Sequence, residues 1–141
     1  MEHNSSIRDL MTTSPRTVDP SAPIVEVARV MRDADVGPIP VVEGDRLVGL
    51  VTDRDIVVRV VAEGEDPSTT TAGEIMSQDL VTVDPDQPLD EALRLMATHQ
   101  VRRLPVTEED GRLVGIVAQA DIARELGDDR ATGQVVEEIS Q

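Results

Sequence analysis

Leu47, Val48, Leu50 and Val51 make an almost unbroken apolar run, interrupted only by Gly49. A run this short, bounded by polar residues, predicts a buried strand, and the glycine marks a place where another backbone or a ligand comes close. Polarity then switches at Thr52-Asp53-Arg54-Asp55. Thr52 and Asp55 stand three apart, the spacing of a capping box at a helix start. The same spacing puts a hydroxyl and a carboxylate beside backbone N–H groups that attract anions, so the pair is also a candidate binding element. The pattern returns 66 positions on, at Leu113-Val114-Gly115-Ile116-Val117-Ala118-Gln119-Ala120-Asp121-Ile122. The glycine, the aspartate and the apolar frame recur, but Ala118 replaces Thr52.

The rest of the chain repeats in the same order. Ser6-Ile7-Arg8-Asp9-Leu10-Met11 matches Thr71-Ala72-Gly73-Glu74-Ile75-Met76, each with the acid three residues after a hydroxyl that opens a helix. Thr17-Val18-Asp19-Pro20 matches Thr82-Val83-Asp84-Pro85, brief β-prone runs that stop at Asp-Pro. Ile24, Val27, Ala28, Met31 and Ala34 form one helical stripe, and Leu89, Ala92, Leu93 and Met96 form its counterpart. Ile39-Pro40-Val41-Val42 and Leu104-Pro105-Val106 read as strands, with proline marking a strand end or an edge. Glu43-Gly44-Asp45 and Glu108-Glu109-Asp110-Gly111 are turns. The reading divides the chain into repeat 1 (7–62), a polar linker (63–71), repeat 2 (72–126) and a C-terminal tail or short helix (127–141). Each repeat is expected to carry a small three-stranded sheet with helices, in an α+β (α/β) fold.

Size adds that neither half stands easily alone. A unit of about 60–70 residues buries only roughly 60% of its unfolded surface, so the halves should share a core. Apolar faces at Ile56, Val57, Val60 and Val61, and at Ile122, Ala123 and Leu126, lead us to expect a homodimer. No apolar run approaches membrane-spanning length, the first residues lack the pattern of a signal peptide, and the chain has no cysteine; a cytoplasmic protein is expected.

Chemistry is limited by what is missing. Without Phe, Tyr or Trp there is no aromatic platform for bases, and a net charge of −15 argues against nucleic acid and anionic membranes as partners. All 13 basic residues are arginine, which removes a phosphate-loop lysine, a Schiff-base lysine and a lysine general base. His3 and His99 are isolated, and no metal-ligand spacing or nucleophile–base pair is present. No enzyme, no catalytic cofactor and no metal site are expected.

Taken together, Met-Thr/Ser followed by Thr-Val-Asp-Pro, an apolar helix, apolar-Pro-Val and Gly-x-x-Thr-x-x-Asp-Ile, occurring twice in order, resemble the CBS-domain family over residues 7–126. Thr52-Asp53-Arg54-Asp55-Ile56-Val57 and His99-Gln100-Val101-Arg102-Arg103-Leu104-Pro105-Val106 are similar to the stand-alone bacterial pairs of the hypoxic-response type. The resemblance implies two CBS repeats packed with pseudo-two-fold symmetry, a disc-like homodimer, and a regulatory ligand such as AMP, ADP, ATP or an S-adenosyl compound. It also implies an effector protein, of no class the sequence names.

Carried over by residue, the resemblance implies two unequal clefts. The first joins Thr52 and Asp55 with Leu80, Val81, Val101, Arg102 and Arg103. The second, expected to be weak or empty, joins Ala118 and Asp121 with Arg16, Thr17, Val36, Gly37 and Pro38. Asp55 is an acceptor for ribose hydroxyls, and the arginine pair offers planar, bidentate phosphate donors. The alternative is a structural or protein-interaction dimer module whose clefts are vestigial.

Overall fold

The computed structural model describes residues 5–130, with side chains through Gly127. His3 and the part of the expected tail beyond residue 130 lie outside the described residues, while Gly127 already belongs to the last helix.

In chain order the elements are α1 (Ile7–Leu10), β1 (Thr12–Thr13), α2 (Ile24–Ala34), β2 (Ile39–Glu43), β3 (Arg46–Val51) and α3 (Asp53–Ile56). A π-helical turn, Val57–Val61, continues α3, and α4 (Ala72–Ile75), α5 (Leu89–His99), β4 (Arg103–Thr107), β5 (Leu113–Ala118) and α6 (Gln119–Arg130) follow. These form two compact units, and the units interleave along the sequence.

One unit takes residues 16–80 together with 110–113. Its sheet pairs β2 with β3 antiparallel, Ile39 opposite Val51 and Val41 opposite Gly49. Its edges are extended by isolated bridges, Val18 beside Val41 on β2, and Ser77 beside Leu50 and Arg112 beside Arg46 on β3. The expected third strand at Thr17–Pro20 is thus one bridge, because Asp19-Pro20 turns the chain away immediately afterwards. Pro40 is tolerated because its side of β2 meets only that bridge: its carbonyl accepts from Val18 N at 3.1 Å. Val18, Ile24, Val27, Met31, Ile39, Val41, Val51, Val60, Ala72 and Ile75 are the core. Ala28, expected on the buried stripe, is exposed, and half-buried Val30 packs against the core.

The other unit takes, among the described residues, 5–15, 81–109 and 114–130. Its sheet has the order β1-β5-β4, with Thr12 opposite Ile116 and Thr13 opposite Gly115. Ile7, Val83, Leu89, Ala92, Leu93, Met96, Leu104, Val106, Val117, Ile122 and Leu126 fill its core.

The interleaving places Ile7, from the start of the chain, in the core that contains Ile122. Ala72 and Ile75, from the middle of the chain, complete the core that contains Val51. The buried residues form two clusters, and sharing takes the form of exchanged segments. Each exchanged helix is a single turn closed by a capping box, Ser6 with Asp9 and Thr71 with Glu74. A single turn is too short to hold itself together, so tertiary packing supplies its stability.

The two 11-residue helices, α2 and α5, end at a non-glycine residue in the left-handed region, Asp35 at φ 55° and Gln100 at φ 56°. The chain then re-enters directly as β2 and β4.

Candidate functional site

Thr52 caps α3 from an extended backbone at the end of β3. Its backbone N–H donates to Asp55 Oδ2 at 2.9 Å, and Asp55 N–H donates to Thr52 Oγ1 at 3.1 Å. Two N–H groups at the helix start, otherwise without intrahelical partners, are satisfied reciprocally, and the carboxylate is fixed in orientation. Asp55 is only 17% exposed at the side chain, and its second oxygen, Oδ1, lies 4.0 Å from Arg59 Nε. Arg59 also donates from Nη1 to the carbonyl of Ile75 at 2.9 Å, tying the π-helical turn to α4.

Arg59 was not among the sequence candidates. Its spacing of four from Asp55 was a usable signal.

The equivalent turn in the other unit is built differently. Ala118 has no side-chain acceptor, so no reciprocal cap forms there. Asp121 Oδ1 instead accepts from Arg124 Nη2 at 3.2 Å, with the carboxylate 39% exposed. The start of α6 is anchored through its backbone, Gln119 N–H donating to the carbonyl of Arg102 at 2.8 Å. That bond fixes the backbone at Arg102 and leaves both guanidiniums outside. Arg102 and Arg103 are exposed, and neither side chain has a hydrogen bond or ion pair among the described residues.

Of the first candidate set, Thr52, Asp55 and Leu80 belong to one unit, and Val81, Val101, Arg102 and Arg103 to the other. Leu80 and Val81 are half-buried, whereas Val101 is exposed. The second set divides likewise, with Arg16, Thr17, Val36, Gly37 and Pro38 in one unit and Ala118 and Asp121 in the other. Val36, Gly37 and Pro38 are half-buried, and a Cβ at Gly37 would stand 3.3 Å from Asp53 Oδ1. Arg16 is exposed and is already near a carboxylate: the Arg32 hydrogen bond holds Asp33 below the usual range, and Arg16 adds to the effect.

Among the described residues no group of three or more His, Cys, Asp or Glu side chains could hold a metal ion.

Replacing Thr52 with alanine copies the Ala118 turn into the first unit. Thr52→Ala is expected to lower stability by about 1 kcal/mol, the usual worth of a threonine cap. Urea denaturation of the full chain measures this directly. An unchanged midpoint would mean that the hydroxyl contributes nothing as a cap.

Residues 7–62 and 72–128 each match the CBS domain. The chain is 44% identical over 136 residues to the CBS domain-containing protein YhcV of Bacillus subtilis (strain 168), covering 96% of each. It is also 44% identical over 123 residues to hypoxic response protein 1 of Mycobacterium tuberculosis (strain ATCC 25618 / H37Rv), covering 86% of this chain and 85% of that one. The solved structure of hypoxic response protein I with two coordinated zinc ions superposes with a TM-score of 0.77 at 43% identity, over 86% of this chain and 98% of that one. The CBS domain pair of protein MJ0100, in complex with 5'-methylthioadenosine and S-adenosyl-L-methionine, superposes with a TM-score of 0.75 at 28% identity, over 89% and 98%. With its repeated strand–turn–helix and these matches along nearly its whole length, the chain belongs to the CBS domain family.

Proposed function

We propose that the protein is a regulatory module that binds an adenosyl ligand, an adenine nucleotide or an S-adenosyl compound, without turning it over. Thr52 and Asp55 take the ribose, Leu80, Val81 and Val101 flank the base, and Arg102 and Arg103 take the phosphate. The observation that carries this reading is the contrast between the two aspartates. Asp55 is oriented by the Thr52 N–H and its Oδ1 stands 4.0 Å from Arg59, while Asp121, with no cap to orient it, accepts from Arg124 at 3.2 Å. Arg102 and Arg103 add two unengaged planar donors. The adenosyl ligands bound by the CBS domain pair of protein MJ0100 support the ligand class. The second set, Arg16, Thr17, Val36, Gly37, Pro38 and Asp121, is the weaker site in this reading.

The net charge of −15 does not oppose an anionic ligand. Screening over about 8 Å at physiological salt mutes distant carboxylates, whereas arginines in contact act unscreened.

One observation favours a second reading, a structural or interaction module. The capping box satisfies Thr52 and Asp55 with no ligand at all. Titration calorimetry of the full chain with AMP, ATP and S-adenosylmethionine separates the two. Saturable heat with any of them supports the regulatory module, and flat titrations with all three leave the structural one.

The same proposal includes a homodimer. Val57, Val58 and Val61 are 57%, 44% and 68% exposed, an apolar patch on one helical segment that a second copy would cover. Val60, Ile122 and Leu126, expected on dimer faces, are buried in the two cores instead. Light scattering at micromolar concentration is expected to give a dimer for the native chain and a monomer for Val61→Asp. A monomeric native chain would remove the dimer from the proposal.

A further inference from the structure

Each unit seats a methionine thioether on the glycine of its central strand–cap stretch. A Cβ at Gly49 would collide with Met76 Sδ, and one at Gly115 would stand 2.7 Å from Met11 Sδ. The two methionines occupy equivalent places. Met11 closes α1 and Met76 closes α4, each donating its N–H to the first residue of the turn, Ile7 or Ala72, at 2.9 Å. The residues that follow are the strand partners: Thr12 opposite Ile116 in one unit, and Ser77 exchanging two hydrogen bonds with Leu50 in the other. Each thioether therefore fastens an exchanged segment to the strand that leads into the Thr52 or Ala118 turn.

Burial separates these two from the other methionines among the described residues, Met31 and Met96. Met31 is 9% exposed and Met96 is 0% exposed, both within the cores. Met11 and Met76 are half-buried and pack on the core margins. With no cysteine, tryptophan or tyrosine in the chain, methionine is the principal side chain open to oxygen transfer.

We propose that Met11 and Met76 are paired oxidation sites whose conversion to the sulfoxide loosens the exchanged segments from Gly115 and Gly49. In the reaction a hydroperoxide, ROOH, transfers one oxygen atom to the thioether. The O–O bond breaks, an S–O bond forms, sulfur loses two electrons, and ROH leaves with its proton retained. The product is bulkier, polar and chiral where the thioether already lies close against the glycine, and at Gly115 the nearby Thr12 carbonyl offers no donor to the new oxygen, so the seat is lost. A sulfoxide reductase with a thiol reductant returns the thioether. The proposal does not depend on what ligand the protein binds.

The test uses the full chain treated with hydrogen peroxide, with free methionine as the reference thioether and peptide mass mapping as the readout. Met11 and Met76 are expected to oxidise roughly tenfold or more faster than Met31 and Met96, which must await opening of a core. The thermal midpoint should fall by about 4 °C or more, and reductase treatment should restore it. The doubly substituted chain, Met11→Leu with Met76→Leu, keeps a similar side-chain volume and should hold its midpoint under the same peroxide. Equal oxidation of Met31 and Met96, or full conversion of Met11 and Met76 with no change in midpoint, would overturn the proposal. If the leucine variant loses stability to peroxide as the native chain does, the oxidation sites lie elsewhere.

Discussion

Asp55→Ala is expected to weaken binding of an adenine nucleotide about ten- to 150-fold, and Asp121→Ala to leave it nearly unchanged. The carboxylate of Asp55 would accept ribose hydroxyls, and hydrogen bonds to a charged group contribute roughly 1.5–3 kcal/mol. At about 1.4 kcal/mol per decade this gives the stated range. Asp121 differs because no hydroxyl at Ala118 accompanies it and its Oδ1 is held by the Arg124 guanidinium, closer than the 4.0 Å between Asp55 Oδ1 and Arg59. Arg103→Ala should penalise ATP more than adenosine, since it removes a phosphate donor and leaves the base contacts. Calorimetry on the three variants measures all of this. Loss of binding with Asp121→Ala but not with Asp55→Ala would show that the wrong half of the chain was assigned the ligand.

The second large effect is expected at Gly115. A Cβ there would stand 2.8 Å from the carbonyl oxygen of Thr12 as well as 2.7 Å from Met11 Sδ. The thioether can swing aside, but the carbonyl belongs to β1 and is held by the pairing of Thr12 with Ile116. Gly115→Ala should therefore cost about 1–3 kcal/mol, the range for overpacking a filled site. At Gly49 the three nearest atoms all belong to the Met76 side chain, whose thioether end can swing aside, so Gly49→Ala should cost less. Urea denaturation of the two variants ranks them. A larger loss at Gly49 would mean that Met76 is the more rigid neighbour.

The turn at Thr52 was legible because a capping box is local: four residues, two reciprocal bonds, one spacing. The strand before it and the helical stripes through Val27 and Leu93 follow the same logic of period and burial. What the sequence concealed is non-local or lacks a sequence mark. Asp35 and Gln100 end helices in the left-handed region without the glycine that normally signals it. The π-helical turn at Val57–Val61 displaces the valines from α-helical phase, so Val60 is buried while Val57 and Val61 stand outside. The exchange of α1 and α4 could not be read either, because their capping boxes look alike and neither records which strand lies beside it. At the candidate site, the acids and arginines were identifiable by type. That Asp121 would turn to Arg124 depends on the missing hydroxyl at Ala118, a consequence visible only once the rotamers are in place.

The exchanged segments also dictate an order of assembly. A chain made from its N-terminus has nearly all of one core available once Leu80 has emerged, lacking only the hairpin contacts of residues 110–113. The other core cannot close until Ile122 and Leu126 exist. Ile7 must wait for its neighbours until Ile122 and Leu126 are made, joined to them by contacts of very high sequence separation. During that interval the turn at Ile7–Leu10 is an apolar segment without its core, while the unit built on residues 16–80 already has its own.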